Sequence, residues 1–197
     1  MRHYKKETNS KETKSWDATR VYGRDEVLRD IEERAKSYGE RVVEDVLNMM
    51  KDYEVDIYRL ILAVGDRYGR DTAYEIMSDT VADKRLKWLD QHWDALVHEG
   101  TDLDRGLDLF IKYFKLKEGN FEIIEKSDAR VIVRRKEFVN VISHTCRVLG
   151  LDIVEVNNKI YARATNFMLE RINPGLKYVV MEYDNGWYKE MIALGRP

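Results

Sequence analysis

The hydrophobic period of this chain changes partway along, and few folds accommodate that change. From Asp25 onward, Leu28, Ile31, Ala35, Tyr38, Val42, Val46 and Met49 recur at steps of three and four, an amphipathic helical stripe reaching about Tyr53. A second helix carries Ile57, Leu60, Ile61 and Val64 and stops near Gly69. Asp71 offers an N-cap for a third segment with Ala73, Ile76, Met77 and Val81 as its apolar positions. Leu86, Leu89, Trp93 and Leu96 then fall on nearly the opposite face. An interruption near Ala82–Lys84, with a fourth helix from Lys84 to His98, reconciles the two stripes; a single helix buried on both sides is the alternative. Thr101 to Asp104 has the pattern of a capping box, and Leu103, Leu107, Phe110, Ile111 and Phe114 continue as a helix.

Beyond residue 118 the period falls to two. Phe121 to Lys126 and Ala129 to Arg135 flank a Ser127-Asp128 turn, with Val131 and Val133 alternating against Arg130, Ile132 and Arg134. Tyr178 to Tyr183 and Trp187 to Leu194 flank Asp184-Asn185-Gly186, and the Asn-Gly pair supplies the positive φ that a tight hairpin turn requires. Between the hairpins lie two helical stretches, Glu137 to Leu149 closed by Gly150, and Asp152 to Ile172 closed by Asn173-Pro174-Gly175. The expected fold class is α+β: a helical half (23–118) followed by a ββααββ unit (119–197) whose two hairpins form one antiparallel sheet covered by helices. Residues 1–22, polar and without apolar period, read as a disordered arm, leaving 23–197 as a single domain.

Composition narrows the function classes. Across 197 residues, 34 basic side chains stand against 36 acidic ones and the pI is near 6.1, so no electrostatic bias favours nucleic acid or an anionic membrane. One cysteine excludes an intrachain disulfide and the multi-cysteine metal scaffolds. No apolar run approaches the ~20 residues of a membrane span. The polar N-terminus is unlike a signal peptide, and the expected setting is cytoplasmic. No residue set demands a cofactor or a metal.

A few constellations carry chemistry. Asp71, Glu75, Asp79 and Asp83 form a carboxylate ladder at four-residue spacing, read as a solvated face opposite Ile76 and Val81. His92 shares the arc of Leu89, Trp93 and Leu96, so it is expected to be buried, as a core histidine or a ligand contact, whereas His98 reads as a solvated helix-end cation. His144 and Cys146 form the most reactive pairing. In an extended segment both side chains would point the same way and could make a thiolate–imidazolium pair; in a helix they diverge by about 200°. On the helical reading Cys146 flanks Phe138, Ile142 and Leu149, as a small hydrophobe would.

The layout from Asp25 to Leu194, above all the long helix ending in Phe167-Met-Leu-Glu-Arg-Ile-Asn-Pro-Gly175 that passes directly into a hairpin, resembles the L-2-amino-thiazoline-4-carboxylate hydrolase-like family. It is more distantly similar to 4-vinyl-reductase-type ligand-binding domains. Tyr68-Gly69-Arg70 before Ala73 also fits the N-terminal helices of that family. Members commonly carry a cysteine followed by proline after the first hairpin and another in the final strand; Cys146 lacks the proline, and Tyr188 and Lys189 occupy the final-strand region. The resemblance implies hydrolytic opening of a small cyclic thioimidate-like carboxylate. Cys146 and His144 would then attack or activate water and donate to the ring nitrogen, with Arg130 or Arg134 holding the carboxylate. The alternative is a non-catalytic small-molecule-binding protein on the same scaffold, admitting a homo-oligomer, with Trp88, His92, Trp93, Tyr161 and Phe167 forming the pocket.

Overall fold

Helical period produces helix with fewer breaks than the stripes suggest. The computed structural model describes residues 24–96, 99–137 and 139–195, with backbone alone for 24–28, 30–32 and 34. The expected arm (1–22), Val97, His98 and Phe138 lie outside the described residues. The chain divides into two compact units, 1–45 and 46–197. What is described of the first is helix, with Tyr38, Val42 and Val43 exposed on it.

Helix α1 (Arg24–Tyr68) has no break after Tyr53. Glu54, Val55 and Asp56 contain no Gly or Pro, and Val55 and Tyr58 become its buried positions. Gly69, at φ 96°, turns the chain into α2 (Arg70–His92). Asp71 is therefore a first-turn acid and not the N-cap. Nor is α2 interrupted at Ala82–Lys84. Its buried line runs Tyr74, Ser78, Ala82, Arg85 and Leu89, at helical steps of four and three, while Ile76 is 52% exposed. Two polar residues occupy the inward face, so hydropathy alone assigns the wrong one. The expected fourth helix is the continuation of α2, finished by a 3₁₀ turn at Trp93–Ala95. Thr101 and Asp104 form the capping box that opens α3 (Asp102–Tyr113).

Four strands, β1 (Phe121–Lys126), β2 (Arg130–Lys136), β3 (Leu176–Asp184) and β4 (Trp187–Leu194), make one antiparallel sheet in the order β1-β2-β4-β3. The hairpins therefore join through β2 and β4, and the fold is α+β. Register pairs Val131 with Ile192, Val133 with Glu190 and Arg135 with Tyr188, and Leu176, Tyr178 and Val180 share the buried face. Gly106 brings α3 close to that face, since a Cβ there would stand 3.2 Å from Leu176 Cδ1. Asn185 and Gly186, at φ 46° and 83°, close the second hairpin.

Between the hairpins, α4 (Val141–Leu149) starts later than Glu137 because Asn140 takes a left-handed φ of 50°. Glu137 instead supplies a carboxylate to the Ser143 N–H (3.0 Å). Asp152 caps α5 (Ile153–Val156), which continues through a π-helical turn, Asn157–Ala162, into α6 (Arg163–Leu169). Two asparagines of this rod grip the outer edge of β3. Asn158 bonds both Val180 N and O at 2.8 Å, and Asn166 bonds Tyr178 N at 2.7 Å and O at 3.2 Å. Each amide imitates a neighbouring strand, satisfying backbone groups that an edge otherwise leaves open. The rod is thereby held against the sheet over the buried cluster of Leu107, Phe110, Val133, Met168 and Tyr178. A second cluster, Tyr58, Tyr74, Cys146, Val156 and Ile160, joins α1, α2, α4 and the rod.

A candidate ligand chamber around Arg85

Where α2, the rod and the covered face of the sheet converge, the packing leaves a cavity of about 220 Å³. Phe114, Tyr161, Tyr178 and Tyr188 give it aromatic walls, and Arg85 and Arg135 bring two guanidinium groups into them. The arginines are held differently.

Arg135 is a closed pair. Its Nε and Nη2 donate to Glu190, the shortest contact being 2.7 Å, and Tyr178 Oη donates to the same carboxylate at 2.6 Å. The guanidinium lies between Phe114 and Tyr188, each ring centre 4.7 Å away. Burial alone would lower its pKa; Glu190 overrides that and raises it. Glu190 is 0% exposed, so each charge requires the other.

Arg85 has no such partner. It is 4% exposed, and its Nη1 donates to the Tyr161 carbonyl (2.7 Å) and to Thr165 Oγ1. Its Nε finds no acceptor. Rings of Tyr113, Phe114 and Tyr161 surround it at 5.2 to 5.9 Å. No carboxylate pairs with it among the described residues, and burial lowers its pKa. Neutral partners alone, the Tyr161 carbonyl and the Thr165 and Tyr113 hydroxyls, with three rings, leave a buried positive charge largely uncompensated. The one other acid lining the cavity is committed elsewhere: Glu137 accepts from Ser143 N with one oxygen and from Tyr183 Oη, at 2.8 Å, with the other.

Tyr161 lines this chamber, without the Trp88, His92, Trp93 and Phe167 with which the sequence grouped it. Its hydroxyl accepts from Tyr58 Oη (3.2 Å) and donates to Glu54 (2.9 Å), and burial raises its pKa well above the ordinary range. It sits in the π-helical turn, a distortion frequent at functional sites.

The remaining sequence candidates do not converge on Tyr161. Arg130 and Arg134 are exposed, alternate with the inward Val131, Val133 and Arg135, and pair with Glu125 and Glu122. Trp88 stacks on His92 with centroids 4.5 Å apart, and His92 is exposed, contrary to the expectation that it is buried. Its Nδ1 lies 2.8 Å from the Trp88 carbonyl, so the helix end itself holds the ring. Trp93, in the 3₁₀ turn, is half-buried against the main core. Phe167 lines a separate groove beside β3. The carboxylate ladder faces solvent and ties α2 to the rod, Asp71 to Lys159 and Glu75 to Arg163, both at 2.9 Å.

His144 and Cys146 border a different groove, on α4. The segment is helical, so the two side chains diverge, and His144 Nδ1 lies 3.3 Å from Arg147 Nη2. Cys146 is 2% exposed, and burial, with the charges of Glu137, Asp152 and Glu54, pushes its thiol up to about 12. Sequence reading passed over Arg85, Arg135 and Glu190. Strand alternation carried a signal for two of them, because Arg135 continues the inward series Val131, Val133, and Glu190 lies between Tyr188 and Ile192.

The chain matches no protein-family model, and no curated protein and no solved structure is significantly similar to it.

Proposed function

We propose that this protein binds a small organic carboxylate in the chamber around Arg85. The observation that carries the proposal is a buried guanidinium with no acid paired to it among the described residues. An isolated charge inside a protein costs several kcal/mol, and such groups are retained where something neutralises them. A carboxylate entering the chamber supplies the missing charge and an acceptor for Nε–H, while the aromatic walls take the apolar body of the ligand. A volume of about 220 Å³ limits that body to one ring or a short chain. Cys146 gives no comparable support to hydrolysis: its thiol is buried, protonated at neutral pH and lies among carboxylates. A lone buried thiol suits a reducing compartment, and among the described residues no helix is long and apolar enough to cross a membrane.

Thermal denaturation against a panel of compact carboxylates tests the proposal. At least one aromatic or cyclic acid should raise the Tm in a concentration-dependent way, and Arg85→Met should abolish the rise. Uniform indifference across the panel, or a rise that survives Arg85→Met, refutes it.

A further inference from the structure

A second concave surface is built for a different ligand. The groove bordered by α4 encloses about 660 Å³, within the ordinary range for ligand sites, and Cys146 of the second core cluster is among the residues that line it. Four nitrogen-bearing side chains reach it from separate parts of the chain: Lys51 on α1, Lys136 at the end of β2, and His144 and Arg147 on α4. Among the described residues no Asp or Glu lines it. Several surface cations elsewhere are matched, as in Lys126–Asp104, Arg130–Glu125, Lys159–Asp71 and Lys177–Glu170. Lys51, Lys136 and Arg147, by contrast, have no ion pair with any described carboxylate, and the one described partner of Arg147 is His144.

Neutral polar side chains complete the wall. Asn140, Ser143, Tyr183 and Asn185 line it, and the left-handed backbones of Asn140 and Asn185 bring two loops to its rim. The nearby acid, Glu137, has both oxygens occupied by Ser143 and Tyr183, so it orients two of these residues. Four converging nitrogen-bearing side chains and the Asn140 and Asn185 amides, with no described carboxylate in the lining itself, are what a phosphoryl group requires. We infer that this groove binds the phosphate group of a small phosphomonoester, with Lys136 and Arg147 as its principal contacts and Lys51 and His144 flanking them.

Titration of the full-length protein with inorganic phosphate and then with a sugar phosphate, followed by the His144 ring resonances, tests the inference. Phosphate should shift those resonances saturably, and the sugar phosphate should bind more tightly. Affinity should fall steadily as sodium chloride is raised. Lys136→Gln with Arg147→Gln should weaken binding by at least about tenfold, the scale of a lost charge-assisted hydrogen bond. Both positions are exposed, so an unchanged circular dichroism spectrum will show that the fold survives. Arg85→Met should leave phosphate binding intact, separating this groove from the carboxylate chamber. Absence of a saturable shift at millimolar phosphate, or equal affinity in the double variant, overturns the inference.

Discussion

Arg85 and Arg135 show how differently one residue type can be used a few ångströms beneath a surface. Arg135 is neutralised by Glu190 and serves the fold, whereas Arg85 keeps a buried charge that no carboxylate among the described residues balances. Replacing Arg85 by Met, of similar length and without charge, should leave the Tm unchanged or raise it, because exchanging a buried ionic group for packed apolar atoms is often stabilising. Denaturant melts of the two proteins check this; a loss of several kcal/mol would make Arg85 a structural residue. Cys146 offers a second residue-scale expectation. Its folded pKa of about 12 lies above the ordinary 9.0, so the buried thiol contributes stability that is complete below pH 9 and is lost as pH rises towards 12. Native protein should resist iodoacetamide at pH 7 to 8, and stability should decline less steeply with alkali in Cys146→Ala. Rapid native-state labelling would return the thiol to the catalytic candidates.

At the level of elements, much was legible because local chemistry decided it. The Thr101–Asp104 capping box, the Asn185-Gly186 turn and the alternation of β2 and β4 each specify their structure within a few residues. Thr101→Ala should cost about 1 kcal/mol in urea melts, the ordinary weight of an N-cap. What could not be read locally was decided by tertiary partners. The continuity of α2 depends on Ser78 and Arg85 facing inward, which hydropathy scores as surface. The rod's attachment to β3 depends on Asn158 and Asn166, ordinary polar residues until a strand edge lies beside them. Asn158→Ala and Asn166→Ala should each cost about 1–3 kcal/mol, through unsatisfied backbone groups on β3. Hydrogen exchange should accelerate at Val180 in the first variant and at Tyr178 in the second. Unchanged protection at both amides would mean that the asparagines are incidental to the edge.

At the scale of residues 46–197, sheet and helices form walls around a chamber that no single segment encodes. Tyr161 was singled out beside Trp88, His92, Trp93 and Phe167, which do not line the chamber, and Arg85, Arg135 and Glu190 come from α2, β2 and β4, the last two meeting only when the hairpins join through their inner strands. A chamber assembled this way is invisible to motif reading, because its chemistry lies in an imbalance of charge and not in a spacing. The most direct measurement of that imbalance is the ¹⁵N–¹H resonance of Arg85 Nε, assigned by its loss in Arg85→Met, during titration with benzoate and with benzamide. A carboxylate that occupies the chamber gives Nε–H the acceptor it lacks, so the resonance should move downfield saturably with benzoate and stay in place with the neutral amide. An Nε–H signal that is indifferent to both, or that moves equally with both, contradicts the assignment of the chamber to a carboxylate.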